Sequence, residues 1–162
     1  MKKQLQQIVY ILIALLLVAQ FFRPERTNPA SDPKLSIRAA NGIPPAVLAH
    51  LESSCFNCHS NETSWPWYSN ITPINYLIVD DVRGGRRHVN FSEWGAQTDA
   101  KRSSWLDRIS DEVSHKDMPL PKYLLLHPEA RLSDADIKLI STWASTESDR
   151  FIDTTQADDD DE

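Results

Sequence analysis

The chain has 162 residues, and its 17 Lys and Arg against 23 Asp and Glu give a formal net charge of −6. That length allows one ordinary domain with terminal appendages. Most of the excess acid sits in residues 147–162, which hold eight carboxylates and only Arg150, so the remainder is nearly neutral. Without a basic field, and with an acidic end that repels phosphates, a nucleic-acid-binding role is excluded. A 41% apolar share argues against global disorder, and two cysteines are too few for a disulfide framework.

In chain order, Lys2 and Lys3 precede an apolar stretch over residues 5–22 that is broken only by Gln6, Gln7 and Gln20. As a helix it would be roughly 27 Å long, close to the thickness of a bilayer core. Arg23, Pro24 and Arg26 end it. Residues 1–22 are therefore expected to form a single-pass anchor, with the two lysines in the cytoplasm and the rest exported. A cleaved signal peptide is the competing reading, although its best cleavage site, Leu17-Val18-Ala19, puts leucine where a small residue belongs.

Residues 23–41, with Pro24, Pro29 and Pro33, read as a polar tether. A compact region over 42–146 follows, and 147–162 reads as a solvated, disordered acidic tail. The compact region is small for burying a core from side chains alone. Four helices are expected in it. Pro44 and Pro45 open one whose Val47, Leu48 and Leu51 share a face ahead of Cys55. Thr72 and Pro73 open a second, with Gly84-Gly85 as its stop. Trp105, Ile109 and Val113 recur every four residues in a third, between Asp99 and His115. Ser133-Asp134-Ala135-Asp136 resembles a capping box and opens a fourth, with Ile137, Ile140 and Ala144 on one face. No segment alternates as a strand would, so the class is all-α.

Cys55-Phe56-Asn57-Cys58-His59 fits Cys-x-x-Cys-His, the haem c attachment sequence. Two thiols three residues apart, about one helical turn, can each form a thioether to a haem vinyl group. The adjacent histidine can then ligate the iron. Thiol–disulfide exchange uses a similar motif but normally beside a βαβ pattern, and zinc would need a second ligand pair. One haem c per chain is the expected cofactor.

A second axial ligand is expected at Met118, the only methionine besides the initiator, on the irregular segment before Pro119. His88, His115 and His127 are the alternatives, while His50 reads as structural. Trp65, Trp67 and Tyr68 are candidates to wall the cofactor edge, and Arg86 and Arg87 to neutralise its propionates.

Three segments extend the haem motif into a resemblance: Ser54–Thr63 around the cysteines, Trp65-Pro66-Trp67-Tyr68-Ser69-Asn70, and Gly85–Trp94. With Met118-Pro119, Tyr123 and Leu126-His127-Pro128-Glu129-Ala130, they resemble the bacterial haem-binding domain family, a monohaem class I cytochrome c-like group, over roughly residues 40–146. The resemblance implies a cytochrome c-like fold around a covalent haem with His59 and Met118 as axial ligands. The expected function is a non-enzymatic electron carrier on the periplasmic side of the bacterial inner membrane, serving redox partner proteins. A haem-based sensor, or a small peroxidase-like enzyme with a displaceable distal ligand, is the alternative.

Overall fold

The computed structural model describes the backbone of residues 1–159, and the side chains as far as Ile152. It is all-α, with seven α-helices and short 3-10 turns and no strand among the described residues. The helices are α1 Lys2–Ala19, α2 Pro45–Ser54, α3 Phe56–His59, α4 Ile74–His88, α5 Asp99–Ser114, α6 Pro121–Leu124 and α7 Asp134–Asp159.

α1 is long and apolar enough to cross a membrane by length and composition, and it buries none of its residues against the rest of the protein. The remaining elements close around one core. α5 and α7 are its main pair: Trp105, Leu106, Ile109 and Val113 of α5 pack in one cluster with Ile140, Trp143 and Ala144 of α7. Both starts follow the capping rules. Thr98 accepts from the Lys101 N–H at α5, and Ser133 and Asp136 exchange hydrogen bonds at α7. α2 adds Val47 and Leu51, α3 adds Phe56, and the 3-10 turn Phe91–Ala96 adds Phe91 and Trp94.

Both boundaries of α4 differ from the sequence expectation. α4 runs through Gly84 and Gly85 to His88, and its cap position is Pro73 rather than Thr72. Thr72 is engaged elsewhere, since its hydroxyl donates to the Phe22 carbonyl and accepts from Asn75.

The stretch read as a tether, 23–41, is folded onto the domain. It forms the 3-10 turns Pro33–Leu35 and Ile37–Ala39, with Ile37 fully buried. Nor does the last helix stop at 146. Ser148 is fully buried with its hydroxyl 2.8 Å from that of Ser103, and Phe151 packs against the core. Ile140, Ala144, Ser148 and Phe151 continue one helical stripe, and that stripe outweighs the acidic composition around it. The remainder of the expected tail, 160–162, lies outside the described residues.

Candidate haem site

The site begins with α3, a single helical turn that, with its cap residue Cys55, carries the whole Cys-x-x-Cys-His motif. Cys55 and Cys58 are free, and what surface they keep open lines a cavity of about 370 Å³. Enclosure by protein pushes the Cys55 thiol up to about 12, with Cys58 adding to the shift. Burial pushes Cys58 up to about 11, and Asp81 adds to that. Both groups are therefore thiols at neutral pH. That is the reverse of the lowered pKa that thiol–disulfide exchange requires.

His59 lines the same cavity. Its Nδ1 lies 3.1 Å from the carbonyl oxygen of Val89, which can only accept, so Nδ1–H is the donor. Burial lowers the pKa of the ring, against the carbonyls of Val89 and Gly85, which favour its protonated form. A neutral ring with Nδ1 as donor leaves the Nε2 lone pair free for a metal.

The acceptor is itself held in place. Asn90, next to Val89, donates to Asn61 Oδ1 at 3.0 Å and accepts from the Ser92 N–H, while the Asn61 N–H donates to Ser92 Oγ. These buried bonds join the segment after α3 to the segment after α4. Phe56 and Phe91 stack beside them at 5.2 Å between ring centroids.

α4 comes close to α3 at Gly85. A Cβ there would stand 2.6 Å from the Cys58 carbonyl oxygen, nearer than real Cβ contacts come, so only glycine fits. The glycine thus marks a close approach within a helix rather than its end.

Met118 reaches the cavity from the other side of the sequence. α5 ends in a reversal: Lys116 adopts φ 63°, and the N–H groups of Asp117 and Met118 both donate to the Glu112 carbonyl. This turn carries Met118 back over the end of α5. Its neighbours along the wall include the apolar side chains Leu51, Phe91, Ile109 and Val113.

Of the histidine alternatives, only His88 lines this cavity. His115 is exposed and bonds to Asp111. His127 lies in a neighbouring hollow, accepting at Nε2 from the Tyr68 hydroxyl at 2.7 Å and donating from Nδ1 to Glu129. His50 pairs with Asp136 near the surface.

The structure thus brings Cys55, Cys58, His59, Met118 and Arg87 to one cavity, and sets four other candidates apart from it. Trp67 is 72% exposed, Tyr68 is buried against His127, and Trp65 is half-buried away from the cavity. Arg86 is turned to the backbone: it donates to the carbonyls of Ser60 and Thr27, to Asn28 Oδ1 and to the Thr63 hydroxyl. Arg86 therefore fastens the 23–41 segment to the loop after α3 rather than meeting a propionate.

The sequence reading did not single out Arg108, which lies on the cavity wall with its guanidinium 3.4 Å from His88 Nδ1. It also passed over Asn57, which donates to the Tyr123 hydroxyl and accepts from the Ser64 N–H. Neither carries a local signal: Arg108 reads as one more charge on the polar face of α5, and Asn57 as a variable position inside the motif.

The donor set fits a haem. Two sulfurs and an imidazole from one turn face a cavity that also takes a thioether from a distant loop. Its walls are largely apolar, and a glycine stands where a side chain would crowd the sulfur-bearing turn. No curated protein and no solved structure matches the chain. The sequence model of the haem-binding domain family matches residues 14–146, including the whole of the segment expected to be a tether. With the site's chemistry and the family match in agreement, this chain belongs to the haem-binding domain family, and its cofactor is a haem.

Proposed function

We propose that the protein is a membrane-anchored cytochrome that holds one haem c per chain and passes single electrons between redox partner proteins. The observation that carries this reading is the convergence of Cys55, Cys58, His59 and Met118 on one cavity from two distant parts of the chain. The haem would supply a reversible one-electron change at its iron. The chain's own groups supply the rest. Cys55 and Cys58 hold the cofactor through thioethers, His59 offers Nε2 as proximal ligand, and Met118 offers its sulfur as distal ligand.

Thioether sulfur favours the reduced iron and raises the potential. The Val89 carbonyl keeps the His59 ring in one tautomer and orientation, and Leu51, Phe91, Ile109 and Val113 give the cavity an apolar side. Lys2 and Lys3 ahead of an apolar helix support an anchor with the haem domain on the periplasmic face of the inner membrane.

One observation favours an enzymatic reading as the second choice. His88 and Arg108 meet at the cavity wall, and such a pair could move a proton beside a displaceable Met118. The test is an optical spectrum of the full chain made with haem c maturation machinery, oxidised and then reduced. A low-spin spectrum with the far-red methionine–iron charge-transfer band is the result expected of the carrier. A high-spin, five-coordinate spectrum would overturn it in favour of catalysis or sensing.

A further inference from the structure

Outside α1 and the two phenylalanines after it, the exposed large apolar side chains are concentrated on one face. Among the described residues, the others are Tyr76, which bonds to the Phe22 carbonyl, and Leu139 and Ile152. Trp67, Ile71, Ile74 and Leu77 come from the 3-10 turn Trp67–Asn70 and the start of α4, while Leu125 and Leu126 follow α6. The two groups are contiguous, because Ile74, Leu77 and Leu126 line one apolar hollow of about 190 Å³. Leu125 is 80% exposed and Leu77 59%. A concentration of this kind marks an interaction surface.

The anchor helix determines what the face meets. Gln20, which ends α1, donates to the Thr72 carbonyl and accepts from the Thr72 N–H, both at 3.0 Å. The Thr72 and Tyr76 hydroxyls donate to the Phe22 carbonyl. The start of α4 is thus fastened to the point where the apolar helix stops. α1 buries nothing against the domain, so its length is free for hydrocarbon while the patch begins at its end. Arg26 bonds to Ser69 at 2.8 Å and Arg23 to the Gln20 carbonyl, so two cations stand just past the end of α1, where an anchor of this kind would meet lipid phosphates.

We infer that this face rests on the bilayer crossed by α1, with Trp67, Ile74, Leu77, Leu125 and Leu126 seated in the interfacial layer. The inference rests on the anchoring reading given above. It also orients the haem site. The hollow shares Asn57, Cys58 and Tyr123 with the haem cavity, so the Cys58 side of that cavity is turned toward the membrane.

The test uses the full chain in vesicles of phosphatidylcholine and phosphatidylglycerol, photolysed with a membrane-partitioning aryl diazirine and mapped by mass spectrometry. Label is expected in α1 and, several-fold above the peptides of α5 and α7, around residues 67–77 and 125–126. Leu77→Glu with Leu126→Glu is expected to remove the domain label and keep that of α1. Label in α1 with none above background on this face would overturn the inference and leave the anchor standing. A face shielded from label but cross-linked between copies would assign it to a second copy of the chain instead. Absence of label from α1 itself would overturn both the inference and the anchor.

Discussion

His59 Nδ1 stands 3.1 Å from the carbonyl oxygen of Val89, a residue thirty positions later in the chain. The bond joins the motif on α3 to the exit of α4, where the Val89 N–H in turn donates to the Gly85 carbonyl. A single backbone segment therefore closes α4 and orients the imidazole. The ligand's tautomer is set by the fold rather than by the motif alone.

The close approach of α4 to α3 makes Gly85 intolerant of a side chain. Gly85→Ala would press its Cβ on the Cys58 carbonyl and is expected to cost about 1–3 kcal/mol. Its neighbour is the control. A Cβ at Gly84 meets only Arg87 Nη2, at 3.7 Å, so Gly84→Ala is expected to be neutral or stabilising by up to ~1 kcal/mol. Urea midpoints at constant slope measure both, and equal midpoints for the two variants would refute the packing argument.

Met118→Ala removes the only thioether along the cavity. The far-red charge-transfer band is expected to disappear, and added imidazole to bind the iron at least about tenfold more tightly, roughly 1.4 kcal/mol in competition. An unchanged spectrum would remove Met118 from the iron and direct attention to His88.

The features readable from the sequence were those determined within a few residues. Cys55 to His59 is a contiguous chemical signature, and Ser133 with Asp136 is a cap written in four letters. Failures came where one residue type serves two purposes. Gly84-Gly85 has the composition of a helix stop, yet Gly85 is required by Cys58, a partner 27 positions away that no local pattern reveals. Arg86 and Arg87 are adjacent and chemically identical. Helical geometry turns one to the loop carbonyls and the other to the cavity. The acidic composition of 147–162 masks the stripe through Ser148 and Phe151, because a summed charge does not distinguish the faces of a helix.

The reassignment of Arg86 separates fold from cofactor. Arg86→Ala leaves the Ser60 and Thr27 carbonyls and the Asn28 and Thr63 side chains without their shared donor, and is expected to lower stability by about 1–3 kcal/mol. Limited proteolysis should reach residues 23–36 sooner. The haem spectrum should stay as it is, whereas a marked change in potential or ligation would return Arg86 to the propionates.

The raised thiol pKa values predict how the haem-free chain behaves. Burial holds Cys55 near 12 and Cys58 near 11, so little thiolate exists at pH 7 and its share grows only as pH rises toward those values. Iodoacetamide should alkylate both slowly at pH 7, faster at pH 9 and faster still after unfolding in urea. Rapid modification of the folded chain at pH 7 would mean that the thiols are activated for exchange.

The most direct test of the account is the covalent link itself. The full chain, produced with haem c maturation machinery, is extracted with acidic acetone and its mass then measured. The expected result is a chain heavier by one haem, with the addition on the peptide containing Cys55 and Cys58 and no free thiol left. A chain that loses its haem to the extraction and shows two free thiols would contradict the account, leaving a haem-binding protein whose cysteines do not hold the cofactor.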